Sequence, residues 1–275
     1  RDVVGRFSGT SSGTDSLSGQ SKFNQFLSSI RHATRGKIHT LFFADPIEVL
    51  RGYAKIETGV AVALAILPVL GLDGLNSLGG AGSAEISGWD YVRELHVFLD
   101  NPRRGVLDVP AFKPANLTPE EFIPSSVITY ATVSLDLSTT VSRLAKLYDG
   151  FQGEGAFERR IGGRTERFLG VNLTEEFLPA TTGRVSLVRW VEQPVTVTSI
   201  SNGLIVEMKD EDVAAMIVDR IYQTRQANFE KKEFGTWQYY QSTRTRPSSF
   251  PATMRFPIPC LAALGRFLIV TDSPA

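Results

Sequence analysis

Three histidines, His32, His39 and His96, lie near the acids Asp45, Glu94 and Asp100 in the sequence, and their types could do chemistry. A histidine oriented by an aspartate can take a proton from a serine, as in a hydrolytic triad. His39, His96, Asp45 and Asp100 therefore form the candidate catalytic set. No Gly-x-Ser-x-Gly elbow accompanies them, and both His39 and His96 fall within ordinary strand patterns, where a satisfied or solvent-facing imidazole is the simpler expectation. Two strand histidines could also begin a metal site, but no third ligand follows at a recognisable spacing. Gly9 and Gly13 lack the lysine of a phosphate-binding loop. No metal or cofactor is expected.

The remaining reactive side chains have structural readings. Glu120-Glu121 and Glu175-Glu176 each follow a threonine or Thr-Pro, as first-turn helix residues do. Asp210-Glu211-Asp212 lacks the glycine and terminal glutamate of a calcium loop and reads as an acidic helix start. The single Cys260 sits in an apolar strand context, as a small buried hydrophobe rather than a nucleophile. Asn172-Leu173-Thr174 matches a glycosylation triplet. Arg244, Arg246 and Arg255 with Phe250 and Phe256 form the candidate partner-binding set, suited to an acidic or aromatic partner. A solvated arginine-rich loop is the alternative.

The elements that must position these residues read as an α+β fold, with two diverged strand-helix-hairpin units making mainly antiparallel sheet under packed helices. Lys37 to Phe43 is a strand; Asp45-Pro46 starts a helix, with the aspartate capping free N–H groups and the proline tolerated in the first turn. Val127 to Leu135, Asp136 and the stripe Val141, Leu144, Ala145, Tyr148 repeat that order. Each copy then reaches a Leu-Gly step, Leu70-Gly71 and Leu169-Gly170, before a hairpin. After the hairpin the copies diverge: the first breaks into Asn101-Pro102-Arg103-Arg104-Gly105, and the second continues as a helix from Glu211 to Thr224. Four segments follow from this: a flexible arm and short helix over 1–36, a first unit over 37–109, a Pro-rich connection over 110–124, and a second unit over 125–275.

Composition bounds the rest. At 42% hydrophobic and 21% charged, the 275 residues suffice for one large or two medium cores. Basic and acidic residues balance at 29 each, which removes the electrostatic footprint of a general nucleic-acid binder. The apolar run from Val60 to Leu72 falls short of the roughly 20 residues of a spanning helix, and Pro68 and Gly71 interrupt it. It is expected to be a buried helix, with no transmembrane segment in the chain. The first residue is Arg1 and a strand-like run closes the sequence, so a longer parent chain is expected.

Leu95-His-Val-Phe-Leu-Asp-Asn-Pro-Arg-Arg-Gly105, Leu144-Ala-Lys-Leu-Tyr-Asp-Gly-Phe151 and the closing Leu264-Gly-Arg-Phe-Leu-Ile-Val-Thr-Asp-Ser-Pro274 carry a resemblance. With the Leu169-Gly-Val step and Gly183-Arg-Val, the sequence resembles an uncharacterised exported-protein family, a domain of unknown function of planctomycete-type bacteria. The resemblance implies an extracytoplasmic protein, at the periplasm or cell surface, and supplies no catalytic residues. Three functions are expected in this order: a non-enzymatic scaffold or interaction module contacting itself or a protein partner, a module binding a lipid or small apolar molecule between apolar helices that include Val60 to Leu67, and a hydrolase using His39 or His96.

Overall fold

The computed structural model describes residues 16–33, 37–86, 88–193, 195, 198–251 and 254–274. The chain divides into two compact units, Arg1–Asp108 and Val109–Ala275. Both belong to the α+β class, with helices on antiparallel sheets. The glycines at 9 and 13 and the last residues of the 1–36 segment lie outside the described residues, as does the side chain of His32.

The first unit opens with α1 (Ser21–Ala33), then β1 (Ile38–Ala44), α2 (Pro46–Tyr53), α3 (Thr58–Leu70), β2 (Leu75–Ile86) and β3 (Trp89–Leu99). The strands form a three-stranded sheet in the order β1-β2-β3. Asp45 caps α2, its carboxylate accepting from the Glu48 N–H at 3.0 Å, with Pro46 in the first turn. Gly71 ends α3 in the left-handed region, at φ 71°, where a side chain would be strained. The core of this unit is small. Phe26 and Ile30 of α1 are fully buried against Ala81 of β2, and the rings of Phe23, Phe43 and Phe98 gather around Phe26. Phe26 lies so close over Gly79 that any Cβ there would collide with its ring. Glycine in β2 thus creates the groove that α1 fills, and the expected short helix is part of this unit's core.

The second unit contains β4 (Thr129–Ser134), α4 (Leu137–Gln152), α5 (Gly163–Leu169), the short turn α6 (Leu178–Ala180), β5 (Thr181–Val191), β6 (Ile200–Met208) and α7 (Glu211–Thr224). Four strands follow: β7 (Phe229–Phe234), β8 (Trp237–Ser242), β9 (Cys260–Leu264) and β10 (Phe267–Thr271). The seven strands align as β4-β5-β6-β10-β9-β8-β7, every pair antiparallel. α7 presents Ala214, Ile217, Val218 and Ile221 to one face of this sheet, against Val206, Met208, Leu261 and Leu268. That spacing of three and four is the stripe a helix needs to cover a sheet, and Asp210 caps its start as the sequence indicates. Cys260 is buried, and burial pushes its thiol up to about 11, which suits a packing role.

Three expectations change. The Pro-rich stretch 110–124 lies within the second unit instead of linking units: Phe112 bridges to Leu135, and the Ala111 N–H donates to Thr140 Oγ1 at 3.2 Å. Glu120 is no solvated first-turn residue. It is buried in an ion pair with Arg184, Nη2 to Oε1 3.1 Å, and Tyr130 and Ser186 donate to the same carboxylate. Finally, α3 forms where the apolar run predicts a helix but buries none of its residues fully; Val62, Ile66 and Val69 stand about half exposed. Within this unit the sheet is contacted by α1 and by α2, whose Ile47 is buried, whereas the apolar run packs on α2 and two turns and stays outside the small core.

Candidate interaction surface

The two units follow the same local path. A strand ends at an aspartate N-cap, Asp45 or Asp136, a later helix stops at a left-handed glycine, Gly71 or Gly170, and two antiparallel strands follow in the order β1-β2-β3 or β4-β5-β6. Matching the two caps makes Phe43 correspond to Ser134. Phe43 pairs with Gly79 and Ser134 with Arg184, so these also correspond. One step along, Gly80 pairs with Leu95 and Val185 with Val206. Leu95 therefore occupies the position of Val206, and Val97 that of Met208 two residues on.

The correspondence exposes a difference. In the second unit Val206 and Met208 are buried under α7. In the first, Leu95 is 67% exposed and Val97 53%; after β3 the chain turns through Asn101 to Arg104 into a single 3-10 turn, Gly105–Asp108, where the second unit has the α-helix α7 after β6. Trp89 and Tyr91 alternate with them along β3 on the same face, and Phe42 of β1 joins them there, its ring lying over Gly80. The only charged side chain in this row of β3 is Arg93, whose guanidinium sits 5.7 Å from the centre of the Tyr91 ring. Phe42, Trp89, Tyr91, Leu95 and Val97 are all exposed, so this outer face is largely apolar and open. The sequence contains the signal for it, since apolar residues at 89, 91, 95 and 97 alternate with Asp90, Glu94 and His96. That alternation does not show which face is covered.

The candidate catalytic residues serve the frame. Asp45 is the α2 cap and also bonds Lys22 Nζ at 2.6 Å; burial opposes its ionisation, but these hydrogen bonds and the lysine charge outweigh that and hold its carboxyl below the usual range. Lys22 reaches the Asn76 carbonyl, and Asn76 Nδ2 donates to Asp100 at 2.7 Å. One polar chain thus joins Asp45 and Asp100, fastening strand ends. His96 lies on the α1 side of β3, stacked on Phe98 and 3.7 Å from Glu94. His39 is exposed on β1. His96 sits in the row of Phe43, four residues along β1 from His39, or about 13 Å. The two histidines do not converge, and no cluster of three metal-ligating side chains occurs among the described residues.

The candidate partner-binding set separates into two roles. Arg246 lies over the Phe250 ring at 5.5 Å, Arg244 over Phe256 at 5.9 Å, and the two rings meet edge-on at 5.3 Å, so four of the five form one cluster. Arg255 is used internally. Its guanidinium donates to the carbonyls of Thr198, Ile200 and Asp272 and pairs with the Asp272 carboxylate at 3.0 Å, pinning the loop to the ends of β6 and β10.

Behind the large sheet, on the side away from α7, lies an open cavity of about 730 Å³. Val188, Trp190, Ile205 and Ile269 form its floor, and the stretch from Phe122 to Val127 forms a wall. The indole N–H of Trp190 is buried without a hydrogen-bond partner among the described residues. This cavity is not legible in the sequence, because its wall comes from a segment that reads as a linker. α3, the helix expected to enclose a ligand, does not contribute to it. No helix among the described residues is long and apolar enough to cross a membrane. A scan against protein-family models, a search of curated proteins and a search of solved structures each found no match to the chain.

Proposed function

We propose that the protein is a non-enzymatic, extracytoplasmic interaction module built from two diverged copies of one strand-helix-hairpin unit. The observation that carries this reading is the open apolar face of the first unit at the positions a helix covers in the second. Contiguous apolar surface of this kind marks sites of association. Extracytoplasmic placement is supported by the resemblance of Leu95 to Gly105, Leu144 to Phe151 and Leu264 to Pro274 to an exported family. The balanced charge gives no support to a nucleic-acid partner. The test is recovery of a defined complex, either of the chain with itself in sedimentation velocity or with a protein from cell-envelope extract. A chain that stays monomeric through the micromolar range and recovers nothing specific counts against the reading.

A second reading, binding of a small apolar molecule, is favoured by the cavity behind the large sheet, whose volume falls in the range of ligand pockets. Native mass spectrometry of freshly purified protein would detect a retained molecule. Ile205→Trp, which fills the floor, should release it. Retention unchanged in that variant, or no bound molecule in the original chain, goes against a ligand at this site.

A further inference from the structure

We infer that the open face of the first unit is filled by helix α3 of a second copy of this chain, reciprocally, in a twofold dimer. The inference rests on the interaction-module reading and names its partner. Two observations about the same unit carry it. The sheet lacks a helix at Leu95 and Val97, where the second unit has α7 on Val206 and Met208. The unit also holds a helix that lacks a sheet. α3 runs Thr-Gly-Val-Ala-Val-Ala-Leu-Ala-Ile-Leu-Pro-Val-Leu, with Thr58 its only polar side chain.

The stripes match in period. Val62, Ile66 and Val69 are spaced by four and three, as are Ala214, Val218 and Ile221 of α7, which cover the equivalent sheet face. A stripe of that spacing lies along one side of a helix. α3 does not cover its own sheet: it packs on α2 and on the turns Leu72–Gly74 and Gly105–Asp108, leaving Leu95 and Val97 open. In a twofold arrangement each copy supplies one helix and one sheet face, so both exposed surfaces are covered by a single symmetric contact.

Size sets the strength. A helix of 13 residues is about 20 Å long and about 10 Å wide, a footprint of about 200 Å². Two helices and the two faces beneath them remove about 800 Å² in all, which places the dimer with weak, reversible associations. Dissociation in the micromolar range is expected.

The experiment uses the full chain in sedimentation velocity, with Ile66→Lys on the helix and Leu95→Lys on the sheet. Each substitution should weaken the dimer by at least about tenfold. An equimolar mixture of the two variants should recover association, because a mixed dimer keeps one intact helix-on-sheet contact; the variant carrying both changes should stay monomeric. Phe234→Lys, an exposed position in the second unit, should leave dimerisation unchanged. Circular dichroism checks folding, and Ile66→Gln and Leu95→Gln replace any lysine variant that unfolds. A dimer unaffected by either substitution, or variants that fail to complement each other, overturns the inference while leaving the module reading intact. A monomeric original chain overturns it as well, and the envelope extract then decides the broader reading.

Discussion

The two units differ in which side of an equivalent sheet they leave uncovered. In the first, the segment before β1 is a helix, and Phe26 and Ile30 fill the back of the sheet; the front is open at Leu95 and Val97. In the second, the front is sealed by α7. The segment before β4 is an extended strap whose Glu120 reaches Arg184, with a cavity of about 730 Å³ beside it. An antiparallel sheet has two faces, and one of them is commonly left to solvent. Helix α1 packs on one face in the first unit, and α7 covers the opposite one in the second.

The largest expected effects separate the two back faces. Glu120→Ala leaves Arg184, 7% exposed, as an unpaired buried charge, and should cost about 3–5 kcal/mol. Replacing both partners with apolar residues of similar volume should restore most of that. In the first unit the corresponding position is Gly79 beneath Phe26, where the support is apolar: Phe26→Ala should cost about 3–5 kcal/mol and show no charge-dependent rescue. Urea unfolding of the variants measures both. Equal rescue in the two units would mean that the ion pair is not what secures the strap.

The front faces give the next contrast. Met208→Ala, at a fully buried position, should cost about 2–5 kcal/mol. Val97→Ala, at the equivalent exposed position, should stay within about 0.5 kcal/mol at concentrations where the chain is monomeric. A large loss from Val97→Ala in the monomer would show that the face is already covered.

The smallest effects compare the two caps. Asp45→Ala and Asp136→Ala should each cost about 1 kcal/mol near neutral pH. Asp136 is held below the usual carboxyl range by hydrogen bonds from the Thr139 N–H and hydroxyl, whereas Asp45 overcomes burial with Lys22 as well. In both the folded form ionises more easily than the unfolded one. The stabilisation is therefore present above the unfolded value of about 4 and disappears as pH falls through the lower folded value. Unfolding at neutral and acid pH should show each variant converging on the original chain in acid. Persistence of the difference there would mean that the cap acts through something other than its charge.

Much of the frame was legible in the sequence. The aspartate caps, the Leu-Gly steps, the hairpins and α7 are set by local rules, in which a short polar side chain, a glycine or a stripe of spacing three and four determines its own neighbourhood. What did not show is set by long-range partners. The strap reads as a linker because Pro110, Pro114, Pro119 and Pro124 dominate it, and only its fold onto β5 reveals that Glu120 meets Arg184. The run Val60 to Leu72 gives a helix from its composition, yet composition alone cannot state that no core awaits it. Arg255 looks like its neighbours Arg244 and Arg246 until Thr198, Ile200 and Asp272 are brought to it. His39 and His96 could be assigned to strands, but which rows they share depends on register.

Trapping the contact decides whether the open front of the first unit receives α3 from another copy. Ile66→Cys and Leu95→Cys chains are prepared separately, with the native Cys260 buried, then mixed in equal amounts and oxidised mildly. A disulfide-linked species of twice the chain mass is expected in the mixture and not in either variant alone. No linked species in the mixture, or the same amount in each variant by itself, would contradict it.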